Sequence, residues 1–279
     1  MKVILFCQNN YAYGILEPIK RVLESHEDDY IWFINKKLVN DFPFKLEPHT
    51  SLISDLENYN SDVIFVPGNE IPYYLRGLKT QIFHGLAGEK KGHFRIRHYF
   101  DLYLTQGPYF TKRFNAFKTK HKNFEVIETG WPKLDVYGKA LTRYNADKVE
   151  LLETHKAKKV ILYAPTFSPK LTSAPFLIEQ IKALASNQDY LILLKFHPLM
   201  SQEWITVYQD LAEVHSNVIY QNEKNIIKFL LISDLLISDT SSVIYEFLLL
   251  DKPVITFNNI SKNIHWENSN DFNQLIPLV

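Results

Sequence analysis

The sequence predicts an α/β protein built from two doubly wound parallel-sheet domains, and three observations carry that prediction. Short apolar runs such as Val160-Ile161-Leu162-Tyr163 recur along the chain with amphipathic helical stretches between them, the alternation that produces parallel sheets. The runs are continuously apolar rather than alternating, as strands covered on both faces must be. At 279 residues, with 46% hydrophobic and 22% charged side chains, the chain has material for two cores at roughly 100 to 200 residues per domain.

Taken in order, residues 3–7 read as a buried strand and 14–23 as the amphipathic helix that follows it. Strands are expected over 30–34, 62–66 (ending at Pro67-Gly68), 80–83 (stopped by His84-Gly85), 102–105 and 124–128 (ending at Gly130-Trp131-Pro132), with helices over 51–57 and 108–117. From 138 to 158 the pattern dissolves into polar and charged residues with no β-branched run. The domain crossing is placed there, giving an N-terminal domain over 1–145 and a C-terminal domain over 146–279. The rhythm then restarts with strands over 160–163, 191–195 and 217–220 and helices over 176–185, 202–212 and 225–231. Two such domains in tandem are expected to face each other across a cleft lined by strand-end loops.

The stretch from Leu235 to Phe257 organises the second half. It opens as a strand, breaks into Ser238-Asp239-Thr240-Ser241-Ser242, continues as a largely apolar helix and returns to a strand after Pro253. Such a unit aims the free backbone N–H groups of its helix, with the Thr240, Ser241 and Ser242 hydroxyls beside them, at whatever lies beyond the strand end, a place for a phosphate. The same hydroxyls could equally serve as helix caps, and Asp239 is read as a brace of the turn. Glu246, one turn into an apolar helix, needs a partner, and a ribose diol or a buried structural hydrogen bond would each supply one.

His84 and His197 each directly follow an apolar strand, where ligands gather in open α/β sheets. Gly85 permits close backbone approach, and Pro198 holds the His197 loop away from helix geometry. Histidine is the side chain suited to take a proton near neutral pH, so this pair is a candidate for acid–base work. Beyond His84 runs a basic segment (Lys90, Lys91, His93, Arg95, Arg97, His98), followed by Lys112, Arg113, Lys118, Lys120, His121 and Lys122. It reads either as a surface for anionic acceptor or lipid head groups or as a solvated face.

Composition removes several classes. Lys plus Arg and Asp plus Glu are both 31, so no global field draws the chain to nucleic acid. Cys7 is the only cysteine, which excludes disulfides within the chain and Cys-based zinc sites and fits a reducing, cytoplasmic setting. No window reaches the length of a membrane span. There is no GxGxxG after the first strand, no Walker motif and no metal-ligand spacing, so no cofactor and no metal is expected.

Five ordered segments resemble the CDP-glycerol glycerophosphotransferase family, the teichoic-acid primases and polymerases of GT-B-like fold. They are Phe83-His84-Gly85, Thr129-Gly130-Trp131-Pro132-Lys133-Leu134-Asp135, Ile161-Leu162-Tyr163-Ala164-Pro165-Thr166-Phe167, Leu194-Lys195-Phe196-His197-Pro198, and Ile237 to Val243 continuing to Pro253. The resemblance implies a cytoplasmic transferase, in possible peripheral contact with the membrane, that moves polyol phosphate from a CDP-activated donor such as CDP-glycerol to a hydroxyl of a polymer or lipid-linked acceptor. It implies that His84 deprotonates or orients the acceptor hydroxyl and that His197 stabilises the diphosphate as CMP leaves. Thr166, Ser241 and Ser242 would touch phosphate, with Ser238, Asp239 and Thr240 in the same turn. Glu246 would belong to the nucleotide pocket, Gly85, Gly130 and Pro132 would shape the site, and Lys195 and Arg97 would be further binding positions. The chain departs from the family at Leu86-Ala87-Gly88, where Thr-Pro is usual, so acceptor recognition is expected to differ. It also ends at Val279 soon after the strand at 254–257, so the C-terminal helices of the fold are expected to be shortened. Two other readings stay open: a UDP- or CMP-sugar transferase or epimerase on the same scaffold, and an inactive partner that keeps the fold.

Overall fold

The computed structural model describes residues 1–86, 94–135, 137, 142–223 and 226–257. They form two compact units, one over Met1–Asp135 and one beginning after it. In the first, β1 (Lys2–Cys7), β2 (Asp29–Ile34), β3 (His49–Thr50), β4 (Val63–Val66), β5 (Leu78–Gln81), β6 (Leu102–Thr105) and β7 (Glu125–Glu128) make one parallel sheet in the order β3-β2-β1-β4-β5-β6-β7. The order reverses at β1, which pairs with β2 on one side (Val3 opposite Tyr30) and β4 on the other (Val3 opposite Val63).

β1 shows why its run is unbroken. Ile4 and Phe6 point into a core shared with Ile64, Val66, Phe83, Tyr103, Phe110 and Phe114, while Val3, Leu5 and Cys7 point into another with Ile15, Leu16, Trp32 and Ile34. Both faces are buried, so both phases of the two-residue period must be apolar. The first of these cores is aromatic-rich because α3 (Pro108–Lys118) lays Phe110 and Phe114, one turn apart, against Phe83 and Tyr103. The second face takes α1 (Tyr13–Ser25) through Ile15 and Leu16. Leu56 of α2 (Ile53–Tyr59) packs on the first.

In the second unit β8 (Lys159–Tyr163), β9 (Tyr190–Leu194), β10 (Val218–Tyr220), β11 (Leu235–Ser238) and β12 (Val254–Thr256) form a parallel sheet in the order β10-β9-β8-β11-β12. This is the same half-Rossmann order, with its reversal at β8. The predicted strands and helices are present with shifts of one to three residues at their ends.

The two-residue edge strand β3 and one α-helix are regular elements not anticipated by the sequence. Residues 145–155, read as polar connection, form α4 (Asn145–His155), which buries no residue. Its sequence shows no apolar stripe because charge pairs hold it instead: Lys228 Nζ lies 2.6 Å from Asp147 and Lys148 Nζ lies 2.7 Å from Asp234. The compact units divide after Asp135, so α4 and Tyr137 belong to the second. The expectation of shortened C-terminal helices falls on residues 258–279, outside the described residues, as do Lys90, Lys91, His93, Ala87 and Gly88.

The second sheet is covered by α5 (Ile178–Ala185), α6 (Gln202–Val214), α7 (Ile227–Ile232) and α8 (Val243–Leu248). Ile181, Tyr208 and Leu211 pack with Ile161, Tyr163, Ile192 and Leu194 of the strands. Lys252 closes α7 by donating to the carbonyls of Leu231 (2.6 Å) and Ser233 (2.8 Å), an explanation for a lysine beside Pro253 that is local and structural.

Candidate active site

The first unit gathers its polar residues where β1, β4, β5, β6 and β7 end. Phe83, fully buried just beyond β5, sits at φ +60°, a left-handed conformation that costs a non-glycine residue about 1 to 2 kcal/mol. Packing holds it there, and Trp131 Nε1 donates to its carbonyl at 3.4 Å. Gly130 at φ +80° and Pro132 at the start of a 3₁₀ turn bring Trp131 to that carbonyl, so these two expected site residues act on the His84 loop through the tryptophan between them.

His84 is half-buried, with Nδ1 3.1 Å from the carbonyl of Pro67 at the end of β4. A carbonyl only accepts, so Nδ1 carries the proton and Nε2 of the neutral ring keeps its lone pair. That is the form a general base requires. The Gly85 carbonyl accepts from Gln106 Nε2 at 2.6 Å, and Gln81 Nε2 donates to Gly68 O (3.1 Å) and Asn69 Oδ1 (2.7 Å). Gln81, Gln106 and Trp131 as supports are absent from the sequence reading. Their only signal is a polar or amphipathic residue at the close of an apolar strand.

In the second unit Asp239 is the organiser. Its carboxylate is 2% exposed and accepts from Thr166 N (2.8 Å), Ser173 N (2.7 Å) and Ser173 Oγ (2.8 Å), tying the loop after β8 to the turn after β11. Burial pushes its carboxyl above the usual range, against the pull of these donors. Ser238, fully buried, donates to Ala164 O at 2.6 Å. Ser238 and Asp239 brace the turn, as read for Asp239 from the sequence. Thr166, Ser241 and Ser242 are half-buried, and the Thr240 Oγ1 is buried without a hydrogen-bond partner. Ser242, at the N-cap of α8, makes no capping bond with its side chain, and Ser241 Oγ lies 3.5 Å from Val243 N.

His197, exposed in the loop after β9, has the opposite arrangement to His84. Its Nδ1 accepts from Leu199 N at 3.1 Å, so the proton of the neutral ring is on Nε2, which can donate. Phe167 stacks on it with centroids 4.3 Å apart. Lys195 is 6% exposed and donates to Phe196 O at 2.9 Å. Burial lowers its ammonium from the ordinary lysine range, offset in part by Glu223. Its ammonium is turned inward to the Phe196 carbonyl.

Glu246, 3% exposed, accepts from the hydroxyl of Tyr137 at 2.8 Å. Of the two partners open to it from sequence, the structure supplies the buried structural bond. Burial and the facing Glu246 together push the Tyr137 hydroxyl upward. Arg97 lies 3.9 Å from Glu70, a surface pairing in the first unit.

Two Rossmann-like units, each with polar side chains at the carboxyl ends of parallel strands, define the class of fold to which GT-B enzymes belong. The polymerase TagF of wall teichoic acid, at 22% identity, superposes with a TM-score of 0.63 over 92% of this chain and 70% of its own. The UDP-GlcNAc 2-epimerase from Neisseria meningitidis, at 16%, gives 0.69 over 92% and 82%. These likenesses establish the fold. The model of the family CDP-Glycerol:Poly(glycerophosphate) glycerophosphotransferase matches residues 82–261, and the chain belongs to that family. The teichoic acid glycerol-phosphate primase of Bacillus spizizenii is 35% identical over 139 residues, 49% of this chain and 34% of its own. The chain spans between 22% and 41% of the length of such relatives.

Proposed function

We propose that this chain transfers a polyol phosphate from a CDP-activated polyol to a hydroxyl of a polymer or lipid-linked acceptor. The acceptor oxygen attacks the phosphorus that bears the polyol, the P–O bond to CMP breaks, and CMP leaves. The single observation that carries the reading is the opposite proton placement on the two histidines. His84, with its proton on Nδ1, takes the acceptor's proton at Nε2; His197, with its proton on Nε2, stabilises charge developing on the diphosphate. The Thr166, Thr240, Ser241 and Ser242 hydroxyls, of which Ser242 makes no capping bond, supply further donors to phosphate. Family membership supports the donor class, and relatives named for glycerol phosphate and for ribitol phosphate support a polyol as the transferred unit.

A nucleotide-activated donor places the reaction on the cytoplasmic side. Exposed Arg95, Lys112, Arg113, Lys120 and Lys122 of the first unit would meet anionic head groups there as a peripheral contact. No helix among the described residues is long and apolar enough to cross a membrane.

Thermal stabilisation by a ligand panel tests the donor. A ligand at about 100 times its Kd adds about 2.7 kcal/mol to the folded state. CDP, CDP-glycerol or CDP-ribitol should raise the melting temperature, and UDP-N-acetylglucosamine and CMP-sugars should not. A shift with the UDP- or CMP-sugars alone would favour the epimerase or sugar-transferase reading. No shift at all would favour an inactive partner.

A further inference from the structure

One aromatic side chain beside His84 has no part in what precedes. Tyr11 lies in the short turn Asn10–Ala12 after β1 and is 44% exposed. Its ring centroid is 5.2 Å from that of His84, with the planes tilted by 31°. The mount is fixed: Asn9 Nδ2 donates to the Tyr11 hydroxyl at 3.1 Å, and Ala12 N donates to Asn9 O at 3.0 Å. An aromatic ring held in this way adds little ordering cost when it meets a ligand.

The surrounding loops share one chemistry. Gln8-Asn9-Asn10-Tyr11 after β1, Pro67-Gly68-Asn69 after β4 and Phe83-His84-Gly85-Leu86 after β5 carry amides and aromatic rings, and the first charged residue of the β4 loop, Glu70, follows Asn69 and faces Arg97 at 3.9 Å. The first two touch, since a Cβ added at Gly68 would fall 2.6 Å from Gln8 Oε1. The His84 ring bonds the second and packs on the first. Amides donate and accept, as hydroxyls do, and an exposed tyrosine face covers C–H surface. The matching ligand is neutral and rich in hydroxyls. The match to the family model begins at residue 82, so Asn9 and Tyr11 lie outside it.

We infer that Tyr11, mounted by Asn9, is an acceptor-specificity residue whose exposed ring receives the neutral, hydroxyl-bearing unit that His84 deprotonates. The inference rests on the transferase reading above. A sugar ring and an acyclic polyol both present such a unit, and the test separates them.

The experiment is steady-state CMP release from CDP-glycerol by the wild type, Tyr11→Ala and Tyr11→Phe, with acceptors ending in a sugar ring or in glycerol. Tyr11→Ala should raise the acceptor KM about tenfold with kcat nearly kept, the pattern of lost binding that is equal in ground and transition states. Tyr11→Phe should retain most of the wild-type KM, and the thermal shift by CDP should stay unchanged in both variants. A KM effect on the sugar-ended acceptor alone assigns the ring as occupant, and one on the glycerol-ended acceptor alone assigns the polyol. An unchanged acceptor KM, or a loss confined to kcat as expected if Tyr11 only positions His84, overturns the inference while leaving the transferase reading in place. No CMP release by the wild type from any CDP-polyol overturns both. Tyr11 lies outside the buried core, so the variants test recognition rather than folding.

Discussion

His84 and His197 stand at equivalent places, each in the loop after a parallel strand, yet their surroundings prepare them for opposite work. The His84 ring gives its Nδ1 proton to Pro67 O, a bond made across the sheet to the end of the neighbouring strand. The His197 ring receives Leu199 N–H at Nδ1, a bond closed within its own turn across Pro198, which has no N–H to offer. One arrangement leaves a lone pair on Nε2 and the other leaves a proton. Their supports differ in kind as well. The His84 loop is held by long-range bonds from Gln106 and Trp131 and by the buried, left-handed Phe83, whereas His197 is exposed and leans on Phe167. Residue type and position do not assign a catalytic role by themselves. The partner of the other ring nitrogen sets which proton position each ring brings to the proposed chemistry.

The contrast can be broken most severely at the base. His84→Ala should lower CMP release by about 10² to 10⁴-fold while CDP still stabilises the protein, because a positioned general base is worth that much and the nucleotide is held elsewhere. Unchanged turnover would remove His84 from the chemistry. His197→Ala should cost about 10² to 10³-fold in kcat, the loss typical of one donor to developing charge, and His197→Gln, which keeps an N–H, should recover part of it. If Gln recovers nothing, donation is not what His197 provides.

Smaller effects sharpen the second unit's side. Asp239→Asn turns an amide toward Ser173 N–H and should lower unfolding free energy by about 1 to 3 kcal/mol in urea. The same residue carries a pH signature. Because burial raises its carboxyl above 3.8, the folded state binds the proton more tightly than the unfolded chain. That contribution is full below the ordinary value and is lost as pH rises through the folded one. The difference between wild type and Asp239→Asn should therefore change with pH across that interval, and a pH-independent difference would contradict the assignment. Smallest is Tyr137→Phe, which removes one hydrogen bond to buried Glu246 and should cost about 1 kcal/mol in thermal unfolding. A neutral result would mean that Glu246 finds another partner at no loss.

The strands are legible in the sequence because burial on both faces leaves an unbroken apolar signal, and His84 and His197 stand out as polar residues that end such runs. α4 is not legible, since charge pairs with Asp234 and Lys228 hold it and no apolar stripe marks it. The same limit governs the site. Asp239 bonds residues 66 and 73 positions away, Tyr137 meets Glu246 across 109, and Trp131 meets Phe83 across 48. A local pattern records a residue's neighbours along the chain and not those that folding delivers. Hence the internal partners of Ser238, Asp239 and Lys195 are visible only in the folded chain.

The most direct test of the account is CMP release from CDP-glycerol and CDP-ribitol by the purified chain, with and without a hydroxyl acceptor, alongside His84→Ala. The account predicts CMP only when a CDP-polyol and an acceptor are both present, and its near disappearance in the variant. No CMP from either donor, or undiminished release by His84→Ala, would contradict it.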